Sequence, residues 1–157
     1  MKMTSGRILA VVVGLLVGAQ LVPVERTNPP VTSEVGAPAS VKTILERSCY
    51  DCHSHRTAWP WYAHVAPVSW LVAHDVEEGR EHLNFSLWQR QIESKKFGKL
   101  LAEVTEVLEE DEMPLWFYIP LHPEAALTQD EKAALIGWAN GLRAGLPPQA
   151  QDDDDSR

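Results

Sequence analysis

Cysteine occurs twice in the 157 residues, and both copies fall in one pentapeptide, Cys49-Tyr50-Asp51-Cys52-His53. Thiols are nucleophiles and soft metal ligands, and imidazole is the commonest metal ligand of all. On helical backbone, positions i and i+3 share a face. Two thiols at this spacing can therefore reach one object, and the adjacent histidine brings an imidazole nitrogen to it. This is C-x-x-C-H, the attachment pattern of a c-type haem. In that chemistry Cys49 and Cys52 bond the two vinyl groups of one porphyrin and His53 ligates its iron. Three other uses of paired cysteines compete. Structural zinc normally wants four closing ligands, and the chain has no second cysteine pair. A thioredoxin-type dithiol needs a strand–helix setting, which the sequence lacks. A plain disulfide is the third.

An iron held by His53 on one side is usually closed on the other by methionine or a second histidine. Met1 and Met3 sit in the N-terminal segment, so Met113, in Glu112-Met113-Pro114, is the one methionine of the folded region. We expect it as the sixth ligand, although a methionine is also an ordinary core filler. His64 and His122, beside aromatic stretches, are its rivals. His55 is too close to His53 to reach the opposite face, and His74 and His82 lie among charges and are expected in solvent. Of six tryptophans, Trp59, Trp61 and Trp116 lie in loops near the proposed ligands and are candidates to wall the haem. Trp70, Trp88 and Trp138 fall in helical stretches and are expected in the core. Arg56, Trp59 and Tyr62 are candidate donors to the haem propionates.

The elements that must hold these residues read as helices throughout. A first helix is expected over residues 40–53, capped by Ser40, with Val41, Ile44, Leu45, Cys49 and Cys52 forming its apolar stripe. Pro67 suits the first turn of a second, with Val68, Leu71, Val72 and Val76 on its inner side. Ser86 with Gln89 fits a capping box that opens a long helical region to Leu108, with a break near Gly98, ended by Met113-Pro114. Residues 115–123 read as a loop. Thr128 with Glu131 is a second capping box, opening a last helix through Leu142 that Gly145 and Pro147 close. No segment alternates in the manner of a strand.

Lys2 and Arg7 precede an apolar stretch over residues 8–24, the pattern of an export segment. It is either a signal peptide, cleaved near Val17-Gly18-Ala19, or an uncleaved anchor slightly shorter than a full span. Either reading carries the rest of the chain out of the cytoplasm, where thioether attachment of haem takes place. Residues 25–39, with Pro29, Pro30 and Pro38, read as an extended linker, residues 40–146 as the domain, and residues 147–157, with Asp152 to Asp155, as a disordered acidic tail. The formal net charge of −8 argues against nucleic acid as a partner.

Several further motifs accompany the pentapeptide: Arg26-Thr27-Asn28-Pro29-Pro30, Ser54-His55-Arg56-Thr57, Trp59-Pro60-Trp61-Tyr62, Ala66-Pro67-Val68-Ser69-Trp70, His82-Leu83-Asn84-Phe85-Ser86, Glu112-Met113-Pro114 and Leu121-His122-Pro123. In this order they resemble the haem-binding domain family of small, membrane-anchored, cytochrome c-like bacterial proteins. The resemblance implies an all-α, cytochrome c-like domain around one covalent haem c held by Cys49, Cys52 and His53, with Met113 matching the family's Met-Pro element. It also likens residues 40–53 and 128–142 to the helices that cross beside the haem in class I cytochromes c. The expectation is a non-enzymatic carrier of single electrons on the periplasmic side of the inner membrane, serving redox proteins in or near that membrane. A haem enzyme or a sensor of diatomic gases, using His64 or His122 as a distal group, is the alternative.

Overall fold

The computed structural model describes residues 5–147. The proposed acidic run at residues 152–155 and Lys2 of the export segment lie outside them. Among the described residues seven α-helices follow one another: α1 (Ser5–Ala19), α2 (Ala39–Ser48), α3 (Tyr50–His53), α4 (Val68–His82), α5 (Trp88–Ile92), α6 (Phe97–Glu109) and α7 (Gln129–Ala144). Short 3-10 turns occupy Trp61–His64, Ile119–Leu121 and Pro123–Ala125. Among the described residues the one strand-like feature is an isolated bridge between Ser33 and Leu87. The fold is all-α, as the periodicity requires.

The core lies where α2 and α6 meet α7 and is closed by Val41, Leu45, Leu101, Leu108, Leu135 and Ala139, all buried. An aromatic column runs through it. Tyr50 stacks on Phe85 at 5.3 Å, Phe85 on Trp88 at 5.9 Å, and Trp88 on Trp138 at 5.7 Å. Pairs of this kind are worth about 0.5–1.5 kcal/mol each beyond the area they bury. Tyr50 is the first residue between the two cysteines, so the column ties the pentapeptide to the centre of the domain.

The start of α7 is the expected one: Thr128 Oγ1 accepts from the Glu131 N–H, and Glu131 Oε2 accepts from the Thr128 N–H, closing a capping box. Elsewhere the structure departs from expectation. The first helix starts at Ala39 behind Pro38, without a bond from Ser40, and is broken at Cys49, whose backbone leaves the helical region (φ −127°, ψ −33°). Ser86 caps nothing. It is buried, its N–H donates to Asn84 Oδ1 and its hydroxyl accepts from the His55 N–H, so α5 begins at Trp88 without it, and the Gln89 N–H donates instead to the Ser33 hydroxyl at 2.9 Å. The break in the long region falls at residues 93–96, and Gly98 is buried inside α6. That helix ends at Glu109, because Asp111 turns left-handed (φ 60°), and the N–H groups of Glu112 and Met113 return to the Val107 carbonyl at 2.9 and 3.3 Å. Helix α4 faces inward through Ser69, Val76 and Gly79, leaving Val68, Leu71 and also Trp70 exposed. Its inner face is thus made of small residues, which permits close approach to its neighbour.

Residues 25–39 contain no helix until Ala39, but they are no free tether. Arg26 donates to the Ala63 carbonyl, Asn28 to the Thr57 carbonyl and the Thr32 N–H to the Ser86 carbonyl, and Val35 is buried. The folded unit therefore begins well before Ser40. Helix α1 buries none of its side chains. Its 15 residues span about 22 Å, and no helix among the described residues is long and apolar enough to cross a membrane. Just beyond it, the Gln20 side chain donates to the Ala66 carbonyl and accepts from the Ala66 N–H, both at 3.1 Å.

Candidate cofactor site

Cys49, Cys52 and His53 form one turn. The N–H groups of Cys52 and His53 both return to the Cys49 carbonyl, at 3.2 and 2.9 Å, so the thiols keep helical i, i+3 spacing although the helix axis changes at Cys49. The turn is held hard against α4. An ideal Cβ on Gly79 would stand 2.9 Å from the Cys52 carbonyl oxygen and 3.2 Å from the Cys52 Cβ. No other residue type fits there without moving backbone, which explains a glycine in the middle of a helix.

That close approach sets His53. Its Nδ1 lies 2.8 Å from the Gly79 carbonyl oxygen and 3.1 Å from that of Leu83. Carbonyls only accept, so Nδ1 carries the proton and Nε2 presents its lone pair. Among the described residues Nε2 makes no hydrogen bond. Burial holds the imidazole below its ordinary pKa, against the opposing pull of the Leu83 and Gly79 carbonyls, and keeps it neutral. The His53 carbonyl in turn accepts from the Phe85 N–H at 2.8 Å. A neutral, oriented imidazole with one nitrogen anchored to main chain is the arrangement of a metal-ligating histidine.

Both cysteines are free thiols. Burial, then the neighbouring Cys52, pushes Cys49 up to about 12; burial, then Asp51 and Asp75, pushes Cys52 up to about 11. Thiols so poised are protonated at neutral pH, the opposite of the activated thiolate of a disulfide oxidoreductase. No group of three or more His, Cys, Asp or Glu side chains able to hold a metal ion occurs among the described residues, so the zinc reading has no ligand set. Two neutral thiols at i, i+3 spacing and the unbonded Nε2 of the next residue fit a porphyrin: Cys49 and Cys52 would hold its vinyl groups and His53 would ligate its iron.

Arg80 fastens the loop that follows. Its guanidinium donates to the Ser54 carbonyl (2.8 Å), the Thr27 carbonyl (2.9 Å), Thr57 Oγ1 (2.9 Å) and Asn28 Oδ1 (3.0 Å). One planar fork thus joins α4, the loop and the segment before the domain. His55 is spent on the same framework, with Nδ1 at the Pro30 carbonyl and Nε2 at Asn84. Sequence reading missed Gly79, Arg80 and the carbonyls that hold His53. An isolated glycine within a helical pattern was the available signal for the first.

Asp51 receives two donors, the Ala58 N–H at 2.8 Å on Oδ1 and the Tyr118 hydroxyl at 2.7 Å on Oδ2. Tyr118 stacks on His122 at 4.1 Å, and His122 Nε2 meets the Tyr62 hydroxyl at 2.5 Å while its Nδ1 lies 3.3 Å from Glu124. Both ring nitrogens of His122 are engaged, and His64 is exposed. Met113 is half-buried between the end of α6 and the Tyr118 turn.

The aromatic expectations divide. Trp88 is buried and Trp138 packs on the core, while Trp61 and Trp116 are 76 % and 82 % exposed. Arg56 pairs with Glu34 and the Tyr62 hydroxyl with His122. Trp59 Nε1 is buried with no acceptor. Trp59 lines, with Trp70, Ala73 and Arg80, a cleft of about 610 Å3 between α4 and residues 23–27, which neither the thiols nor His53 nor Met113 line.

Searches of curated proteins and of solved structures return no significant match. A family model does match, that of the haem-binding domain, over residues 14–141. The match covers most of the chain and contains every residue of the site described above, so the chain belongs to the haem-binding domain family.

Proposed function

We propose that the chain is a c-type cytochrome module that binds one haem covalently through Cys49 and Cys52, ligates it with His53 and Met113, and carries single electrons on the periplasmic side of the inner membrane. The observation that carries this reading is His53, with Nδ1–H fixed to two main-chain carbonyls and Nε2 unbonded beside two neutral thiols. The haem supplies a reversible one-electron store. The chain does the rest. The Gly79 and Leu83 carbonyls orient the imidazole and raise its donor strength. Burial at Cys49 and His53 keeps charge away from the attachment face. The net charge of −8 favours encounter with basic redox partners, and salt weakens that encounter.

A carrier rather than an enzyme is supported by His122, the best distal acid–base candidate, whose two nitrogens already have partners in Tyr62 and Glu124. The membrane reading rests on α1, whose apolar side chains find no protein cover: Leu9 is 64 % and Leu15 69 % exposed. At about 22 Å it is shorter than the roughly 30 Å hydrocarbon core, so an anchor would draw residues 20–24 into the interface or thin the bilayer locally.

The test is an optical spectrum, oxidised and reduced, with and without carbon monoxide, on protein exported from a host competent in cytochrome c maturation, followed by the mass of the denatured chain. A reduced haem spectrum indifferent to carbon monoxide, with the mass of one haem retained, is the expected result. Haem lost on denaturation would overturn covalent attachment. Carbon monoxide binding would replace the carrier by the sensor or enzyme reading.

A further inference from the structure

Met113 sits between two fixed points. On one side its own N–H is bonded to the Val107 carbonyl at the end of α6. On the other, residues 115–118 form a turn closed by the Tyr118 N–H on the Leu115 carbonyl at 2.9 Å, and the Tyr118 hydroxyl donates to Asp51 Oδ2 at 2.7 Å. Asp51 lies between the two cysteines, and its other oxygen is occupied by the Ala58 N–H, so it cannot swing away to follow a moving loop. The Tyr118 ring is also clamped from behind by His122 at 4.1 Å, itself bonded to Tyr62. Asp51 thus holds the phenol directly, and Tyr62 backs it through His122.

We propose that Tyr118 is a positioning residue that staples the Met113 loop to the haem-attachment turn through Asp51 and so keeps the thioether on the iron. The inference rests on the reading of Met113 as sixth ligand. A phenol–carboxylate bond in a half-buried place is charge-assisted and strong. Burial, with the Asp51 carboxylate second, drives the Tyr118 phenol well above its ordinary pKa, so it stays a donor throughout the working range of pH. The staple holds the loop from a point five residues along the chain, so the property it controls is how often the sulfur leaves the iron, rather than whether haem is attached.

The experiment uses the haem-loaded full chain, as wild type, Tyr118→Phe, Asp51→Asn and the double variant. Three quantities are read: the sulfur-to-iron charge-transfer band of the oxidised protein, the fraction that binds carbon monoxide when reduced, and helical circular dichroism as a check on folding. Loss of one charge-assisted hydrogen bond predicts about a tenfold rise in the carbon monoxide-binding fraction. The charge-transfer band should weaken while covalent haem content and helicity stay unchanged. The double variant should resemble either single one, because both remove the same bond. A band and carbon monoxide response identical to wild type in Tyr118→Phe and Asp51→Asn would overturn the staple. If Tyr118→Phe fails to fold, Asp51→Asn alone decides by the same two readings. Absence of the band in wild type would overturn the sixth-ligand reading instead, so the two failures are distinguishable.

Discussion

The Gly79 carbonyl accepts the Nδ1 proton of His53 at 2.8 Å, and the same glycine leaves room for the Cys52 carbonyl within 2.9 Å of where a Cβ would stand. One residue therefore both orients the His53 imidazole and admits the Cys49–His53 turn to the helix surface. Gly79→Ala is expected to push α4 away from the turn, at a cost of roughly 1–3 kcal/mol in unfolding free energy measured by denaturant titration. It should also lower the yield of haem-loaded protein. An unfolding free energy within about 0.5 kcal/mol of wild type would show that the contact relaxes freely.

Cys49→Ser and Cys52→Ser should each leave haem bound by one thioether, with altered band positions in the reduced spectrum. The double variant should release its haem into acidified organic solvent. Extraction followed by absorbance checks this, and haem resisting extraction from the double variant would place the covalent link elsewhere.

Met113→Ala should open the iron to carbon monoxide and lower the reduction potential by on the order of 0.1 V or more, within the roughly 0.8 V range that axial ligands span. Potentiometry decides. An unchanged potential and spectrum would transfer the ligand role away from Met113.

The capping box of α7 makes a prediction with a sign. Thr128→Ala should cost about 1 kcal/mol of stability. The Thr128 N–H, then Arg47, hold the Glu131 carboxyl below its ordinary value of 4.5. A depressed carboxylate contributes its stability above that value and loses it as pH falls through the lower, folded-state pKa. Unfolding midpoints should therefore drop with pH below about 4.5, and Glu131→Gln should flatten that part of the profile. A profile equally steep in both proteins would assign the acid sensitivity to other carboxylates.

How far the sequence could be read depended on how local each determinant was. The pentapeptide, the Thr128–Glu131 box and the helical periodicity of α7 are complete within a few residues, and each appears in the structure where expected. Ser86 and Gln89 carry the same local signature as Thr128 and Glu131, yet Ser86 is taken by the His55 N–H, thirty-one residues away. Such competition is invisible to a window of sequence. The hydrophobic stripe of α4 misled for a related reason: Val68 and Leu71 have helical spacing with Val76, but a backbone turn packs closely at Gly79 and the buried face runs through Ser69, Val76 and Gly79 instead. Tyr118 and Asp51 are ordinary residue types sixty-seven positions apart, and only the fold makes them a pair.

The two hydrogen bonds between Gln20 and the backbone of Ala66 have a mechanical meaning. A single contact permits swivelling, whereas a donor and an acceptor on one amide, matched to both polar groups of one residue, resist rotation about the join. Together with Arg26 on Ala63, they tie the end of the leading helix to the Trp61–His64 turn and the residues just after it. If the domain carries electrons as proposed, the bearing of its haem would be inherited from the helix, and a partner would meet the haem edge at a fixed azimuth in place of one sampled by a loose tether.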